Sequence, residues 1–591
     1  MSGLRRVLPY LKPYWREILL STITLTLAVG AELLIPQQIQ RVIDDGIAVA
    51  NMAVVLRSAL VMSGFALVSI VLTFFNTIYS VRVSEGFAAD VRDLAYRQIQ
   101  RFSFGNLDRL QTGELLVRLT SDVNIAKTAL LMIVRMVFRA PLMMVGSLIM
   151  LVLTSPRLAV VVLVLLPVTV SVVGWFSVRT ERMYKMVQRM LDRLNTILQA
   201  NIAGVEVVKA FAQSGYENEK FGAANTRYMD RSIEVNQLVA VLLPTILVLL
   251  NYGVTAVLWI GGLMTINGQL STGELVAFTN YLMTTMIPVM IMGMVLPQVF
   301  ASEASVDRIL EILDTEADVT DRSGARDLTE VQGRIAFENV SLYYDGQDGH
   351  HEPVLQDISF VAEPGETVAL LGATGSGKSS LVNLIPRFYD VSEGRVTVDG
   401  VDVRDVTRAS LRSAIGVCLQ ETVLFSGTIE DNIRFGNPEA SHQEVLEAAR
   451  ITDVDSFVME KEQGYDTVLG QRGKGLSGGQ RQRVAIARAL ARHPSVLILD
   501  DSTSAVDVAT EVQIQGALAE QVAGVTQFVV AQRISTVLTA DKIVLLDNGR
   551  VAGIGTHEVL LATNLIYQEI YESQLGSGLA KNNSKPEVEH V

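Results

Sequence analysis

The sequence predicts an all-α six-helix transmembrane domain fused to an α/β P-loop domain, on three observations. Six apolar stretches fill the first half, near 17–40, 53–78, 130–154, 158–178, 236–264 and 273–300. Each is long enough to cross the roughly 30 Å of a bilayer's hydrocarbon core. No Lys or Arg occurs between Arg231 and Arg308, a gap that the core helices of a large soluble protein would not sustain. The second half turns strand-rich and holds GATGSGKS at Gly372–Ser379, between a strand pattern and a helix pattern. The 591 residues are 49% hydrophobic with mean hydropathy +0.34, more apolar than one soluble core requires.

Cations orient the spans. Arg5, Arg6, Lys12 and Arg16 precede the first; Arg82, Arg92, Arg97, Arg101, Arg109 and Arg118 follow the second; Lys185, Arg189, Arg193, Lys209 and Lys220 follow the fourth. The connections after spans one, three and five are short and poor in cations. By the positive-inside rule both termini and both long loops are cytoplasmic, in an integral protein of the plasma (inner) membrane. The first span is too long, and lacks a small-residue cleavage pattern, for a removed signal sequence. The long loops are polar yet helical in period, which predicts that spans two to five run on beyond the bilayer.

Inside the spans, Glu32, Arg135 and Arg139 are costly in hydrocarbon and point inward by default. The two arginines lie near the inner end of the third span, so reaching to headgroups is an equal alternative. Met283, Met286, Met290 and Met294 share one face of the sixth span, a spacing that suits soft contacts to varied apolar ligands and equally suits ordinary packing. The expected divisions are a transmembrane domain at 1–315, a linker at 316–330, a nucleotide-binding domain at 331–573 and a disordered tail at 574–591.

The chemistry is concentrated in the second domain. GATGSGKS fits G-x-x-x-x-G-K-[ST]: the glycines let backbone N–H groups approach phosphates, Lys378 reaches the outer phosphates, and Ser379 offers a hydroxyl to Mg²⁺. Thr367–Leu371 reads as the buried strand before it, and the helix opening at Ser379 adds its dipole to anion binding. A second apolar strand, Val496–Leu499, ends on Asp500, a carboxylate placed for the same Mg²⁺, and Asp501 follows it.

With these motifs in order, the chain resembles the ATP-binding cassette family over nearly its whole length. LSGGQ at Leu476–Gln480 matches the family signature, which caps ATP bound to the opposing subunit. The resemblance implies an α/β P-loop ATP-binding cassette domain that takes ATP and Mg²⁺. It also implies that Tyr344 stacks on adenine and that Gln420 is the Q-loop residue touching Mg²⁺. Gly372, Thr374, Gly375, Ser376, Gly377, Lys378, Ser379 and Ser380 would cradle the phosphates. Ser477, Gly478, Gly479 and Gln480 would reach the opposing ATP; Ser504–Asp507 resembles the D-loop and Ala531–Thr536 the switch region. Short coupling helices are implied near Leu119–Val123 and Phe211–Glu217.

Three positions depart from the family pattern. The catalytic glutamate is Asp501, the switch histidine is Gln532, and the loop usually read TEVGERG is TVLGQRG at Thr467–Gly473. Asp is one methylene shorter than Glu, and a misplacement of about 1 Å costs on the order of a hundredfold in rate. Gln532 hydrogen-bonds but carries no proton or positive charge. The expectation is a site that binds well and hydrolyses poorly. Since each ATP of the family lies between one subunit's phosphate loop and the other's signature, the expected assembly is a heterodimer with a second half-transporter that carries Glu and His. Hydrolysis would then proceed mainly at the site this chain's signature completes.

The resemblance thus implies the degenerate-site half of an ABC exporter that moves amphiphilic compounds, drugs, lipids or peptides, by alternating access. A homodimeric exporter or lipid flippase uses the same domains, as does an ATP-gated channel or regulatory subunit; six spans exclude a soluble ATPase of the family. Membrane lipid is an expected partner, while a net charge of -13 argues against nucleic acid. The single cysteine, Cys418, excludes an internal disulfide and a cysteine-cluster metal site. His350, His351 and His557 show no ligand spacing and are expected at the surface.

Overall fold

The computed structural model describes residues 2–110, 112–345, 351–502, 508–531, 534 and 537–575. Its contacts divide the chain into two units, one of Met1–Arg101 with Leu110–Thr315, the other of Phe102–Arg109 with Glu316–Val591.

In the first unit, six helices among the described residues are long and apolar enough to cross a membrane: Arg5–Ile47, Met52–Arg101, Thr112–Thr154, Pro156–Ala203, Ser214–Ile266 and Thr272–Asp314. The second, fourth and fifth hold 50, 48 and 53 residues. At 1.5 Å per residue that is roughly 70 to 80 Å, more than twice a hydrocarbon core. Helical period therefore continues past the apolar windows into polar sequence. Ser271 opens the sixth helix with a capping box closed by Glu274.

Polar side chains between these helices find partners across the bundle, because lipid offers none. Glu32 accepts from Arg139 at 2.7 Å and from Ser69 at 2.8 Å, tying the first three spans together. Asn76 donates to the Ser21 carbonyl at 2.9 Å, Ser147 and Thr285 lie 2.7 Å apart, and the Tyr281 hydroxyl donates to the Leu33 carbonyl at 2.8 Å. Arg139 thus turns inward onto an acid 107 positions away, while Arg135, in the π-helical stretch Ile133–Val137, is half-buried.

The second unit contains strands β1 (Ile335–Asp345), β2 (His351–Ala362), β3 (Thr367–Leu371), β4 (Glu393–Val398), β5 (Val401–Asp402), β6 (Ile415–Cys418), β7 (Gly427–Thr428), β8 (Val468–Leu469), β9 (Val496–Asp500), β10 (Thr526–Val530), β11 (Lys542–Asp547) and β12 (Arg550–Gly555). A six-stranded sheet runs β12-β11-β3-β10-β9-β6, and a four-stranded sheet runs β2-β1-β4-β5. TVALL, VLILD and TQFVV lack polar alternation because β3, β9 and β10 pair in parallel at the centre of the larger sheet, where helices and the other sheet cover both faces. One hydrophobic cluster packs beneath the phosphate loop through Val368, Leu370, Leu381 and Ile498; a second, with Val445, Val484 and Ile486, holds the helix Gly478–Leu490.

The expected coupling helices need correction. Leu119–Val123 is no separate coupling helix: it lies within the third long helix, where Arg118–Asp122 is π-helical. The short helix is instead Phe104–Arg109, and it belongs to the second unit. Phe104 stacks on Phe388 at 4.2 Å, and Asn106 and Arg109 donate to Asp318 at 3.1 and 2.6 Å. The chain breaks there because the Ser103 N–H and hydroxyl both donate to the Asn106 side chain, a local alternative to the helix ladder. In the other long loop, Val205–Ala210 forms a short helix, Ala212 turns the chain with a φ of 52°, and Ser214 starts the next span.

The segment expected as a linker is bound to the second unit. Asp318 receives Arg109, Arg322 pairs with Asp405 at 2.9 Å, and Arg408 donates to the Val319 carbonyl at 2.8 Å. The expected tail starts inside a helix, Leu565–Leu575, where Gln574 accepts from the Ile534 N–H at 2.8 Å; 576–591 lie outside the described residues. His557 is also not a free surface residue: its Nδ1 lies 2.7 Å from the Tyr567 hydroxyl. His350 and the side chain of His351 lie outside the described residues.

Candidate nucleotide site and membrane cavity

Strand β3 delivers the chain into a tight loop at Gly372. A side chain there would strike the Leu546 carbonyl at 2.2 Å, so only glycine passes. Gly377 closes the loop with a φ of 97°, in the left-handed region, and starts the helix Lys378–Val382. Lys378 is 8% exposed, and its ammonium donates to the Gly372 and Ala373 carbonyls at 2.8 and 2.9 Å. Burial pushes its pKa down, and the nearby carboxylates of Asp500 and Asp501 work against that shift. The Ser379 hydroxyl donates to Asp500 at 3.0 Å. Burial raises the Asp500 pKa, the Ser379 bond opposes this, and Asp501 adds to it.

This loop fits a phosphate chain. The Ser376 hydroxyl is buried within it and has no hydrogen-bond partner among the described residues, so a phosphate oxygen there would meet an unused polar group. Ser379 and Asp500 together offer two oxygens to a hard divalent cation. Thr374 and Gly375 form the loop's crest, where Gly375 has a φ of 84°, and Ser380 faces Tyr344.

Asp501 follows with a φ of 47°, uncommon for a residue with a side chain. Its N–H donates to the Val530 carbonyl at 3.2 Å, which fixes the backbone beside the end of β10. Gln532 and Asp507 lie outside the described residues, as do 503–506.

Tyr344 is half-buried, and its hydroxyl donates to Ser380 at 3.2 Å. Its ring meets Tyr389 edge-on with centroids 5.2 Å apart. Beside both rings lies a cavity of about 620 Å³ lined by Asp108, Arg109, Asp318 and Ser392. Sequence reasoning missed Tyr389 and Asp108; the aromatic pair Phe388–Tyr389 just past the phosphate-loop helix was the available signal. Gln420 is exposed two residues beyond β6. Cys418 is buried on that strand, and burial pushes its thiol up to about 12, so it is inert.

LSGGQ does not join the phosphate loop but heads a separate helix. Ser477 caps Gly478–Leu490 by accepting from the Gln480 N–H at 3.2 Å, and the Gln480 side chain accepts from the Ser477 N–H at 2.9 Å. Gly478 and Gly479 form its first turn, where unpaired backbone N–H groups favour an anion. In the altered loop after Thr467, Arg472 takes a left-handed φ of 55°.

The first unit holds a cavity of about 880 Å³ between its third, fourth and sixth helices. Val173, Met144, Met292 and Phe300 line its apolar part; Glu181 and Lys185 line it further along the fourth helix. The methionine face read from spacing is therefore not the one on the cavity. Met286 is buried in the bundle core, Met283 and Met294 are exposed, and it is Met292 that faces the space.

Comparison with known proteins bears on both units. Residues 18–289 match the family model described as ABC transporter transmembrane region, and 355–504 match that described as ABC transporter. An uncharacterized ABC transporter ATP-binding protein of Bacillus subtilis is 37% identical over 574 residues, 97% of this chain and 99% of the relative. An ATP-dependent lipid A-core flippase of Syntrophus aciditrophicus is 33% identical over 87% of this chain and 85% of its own. Among solved structures, a bacterial Atm1-family ABC exporter with ATP bound superposes with a TM-score of 0.79 at 26% identity, covering 94% of this chain and 98% of that one.

Proposed function

The chain belongs to the ABC transporter family as an exporter half-transporter with one membrane and one ATP-binding region, and from that premise we propose that it is the degenerate-site half of a heterodimer exporting amphiphilic compounds. The carrying observation is the contrast across β9. Up to Asp500 the phosphate-binding apparatus is complete; at Asp501 the position that must orient water carries the shorter acid, on a backbone already tied to Val530.

When bound, Mg²⁺ and ATP supply the charge neutralisation and the phosphoanhydride bond of the reaction. Lys378 would hold the outer phosphates, the Ser376 hydroxyl would find an acceptor there, and Ser379 and Asp500 would hold the metal. Tyr344 stacks on adenine, and Gln420 senses occupancy from its exposed position. Asp501 would reach one methylene less far towards an attacking water than glutamate, and Gln532, which carries no charge, would stabilise less of the charge developing in transfer, a largely electrostatic contribution. Ser477, Gly478 and Gly479 serve the partner's phosphates, so the competent site is the one whose Glu and His come from the partner. The apolar cavity with a polar end supports an amphiphile as cargo, and a lipid-moving relative agrees with that class. Clustered cations support cytoplasmic termini, and a plasma (inner) membrane is the location we propose.

The assignment of the two sites is tested in the assembled dimer. Ser477→Ala should lower ATP turnover at least tenfold, because it strips the competent site of its cap, whereas Asp501→Asn should lower it less than threefold. The reverse ranking would show that the sites are assigned the wrong way round.

A further inference from the structure

Tyr344 connects in two directions. Its hydroxyl reaches Ser380, beside the Ser379 that bonds Asp500. Its ring meets Tyr389 edge-on, centroids 5.2 Å apart and planes at 68°, the geometry in which one ring's positive edge faces the other's π cloud. The Tyr389 hydroxyl donates to Asp108 at 2.6 Å, a short bond to a carboxylate and of the stronger kind. Burial, and then that same acceptor, push the Tyr389 pKa well up, so the phenol stays a donor at every physiological pH.

Asp108 sits on the short helix Phe104–Arg109, which the second unit grips by the Phe104–Phe388 stack and by Asp318 on Asn106 and Arg109. In sequence it lies between two long helices of the first unit, one ending at Arg101 and one beginning at Thr112. Asp108 is thus four residues before one membrane helix and seven after the other.

We infer that Tyr389 is a positioning residue that links Asp108, and with it the chain entering the second and third membrane helices, to the ring of Tyr344. This rests on the reading that Tyr344 stacks on adenine. A base settling on Tyr344 confines that ring, the edge-on contact confines Tyr389, and the hydroxyl carries the constraint to Asp108. Tyr389 holds no phosphate in this scheme; it reports the base.

The experiment uses the full chain in nanodiscs, in the dimer in which it purifies, with an environment-sensitive fluorophore on Asn267→Cys. That position is exposed at the end of the fifth helix, and the native Cys418 is too buried to react. Tyr389→Phe keeps the ring and removes only the hydroxyl. It should bind a fluorescent ATP analogue within twofold of the parent, yet need at least fivefold more ATP for half the label's response, or lose that response. Asp108→Ala should do the same. Asp108→Asn, whose oxygen still accepts, should stay within twofold of the parent. Joining Tyr389→Phe to Asp108→Ala should add nothing to either single change, as for two residues acting as one unit.

The inference is overturned if Tyr389→Phe leaves both readouts unchanged, if it weakens binding as much as it shifts the label, if the two changes multiply, or if the parent's label ignores ATP. Tyr344→Ala reports on the premise separately. Undiminished nucleotide binding there would sink the adenine reading, whereas weakened binding there with a silent Tyr389→Phe would sink the link alone.

Discussion

In the membrane unit Glu32 is met by Arg139 at 2.7 Å and by Ser69 at 2.8 Å; in the nucleotide unit the buried Ser376 hydroxyl has no partner among the described residues and Lys378 is turned back on its own loop. The difference follows from the surroundings. Hydrocarbon supplies no hydrogen bonds, so polar groups inside the bundle are matched by the chain itself. A phosphate loop is instead built around donors that a ligand will satisfy, and burying them without one costs about 1–3 kcal/mol each. In the phosphate loop the unmatched hydroxyl coincides with glycine-lined backbone and a buried lysine, and it is that combination, rather than one orphaned atom, that marks where the unit binds.

The sharpest way to break this contrast is at Lys378. Its present carbonyl partners are acceptors that backbone relaxation can satisfy otherwise, so Lys378→Ala should cost the fold little. Nucleotide affinity should fall at least a hundredfold, about 2.7 kcal/mol, measured with a fluorescent ATP analogue. A loss under threefold would mean that the loop backbone holds the phosphates unaided.

At Glu32 the expected effect is on stability and is smaller. Glu32→Gln leaves Arg139 charged and without its acid, whereas Glu32→Gln with Arg139→Gln removes both charges. The pair is partly accessible, with side chains 24% and 34% exposed, so the single change should cost about 1–2 kcal/mol, less than a fully buried pair. The double variant should recover most of it in thermal unfolding in detergent. Equal losses in both would assign the cost to packing rather than to an unmatched charge.

What could be read in advance follows the same division between local and distant causes. β3, β9, β10 and the phosphate loop were legible because unbroken apolar runs and glycine spacing are local signals. The six spans were legible at their apolar centres but not at their ends, because a helix such as Met52–Arg101 runs far beyond the window 53–78. The short helix was misplaced from Phe104–Arg109 to Leu119–Val123, since its anchor, Asp318, is remote in sequence. Arg139 had two open readings for the same reason: its partner lies 107 positions away. Periodicity found a methionine face, but which face meets a cavity depends on neighbouring helices, and Met292 lay off the stripe. Nothing local announced the left-handed backbone of Asp501.

The central claim is that the site formed by this chain's own phosphate loop binds nucleotide well and cleaves it poorly because of Asp501 and Gln532. The direct measurement is ATP turnover in a dimer whose partner site has been silenced, beside nucleotide binding, for the parent, Asp501→Glu, Gln532→His and the double variant. Binding should stay within about threefold throughout, because the changes fall outside the phosphate loop. Turnover should rise slightly with Asp501→Glu and, in the double variant, by more than the two single gains combined, as for groups acting together on one transition state. A parent that already turns over as fast as the double variant, or a double variant as inactive as the parent, would contradict the claim.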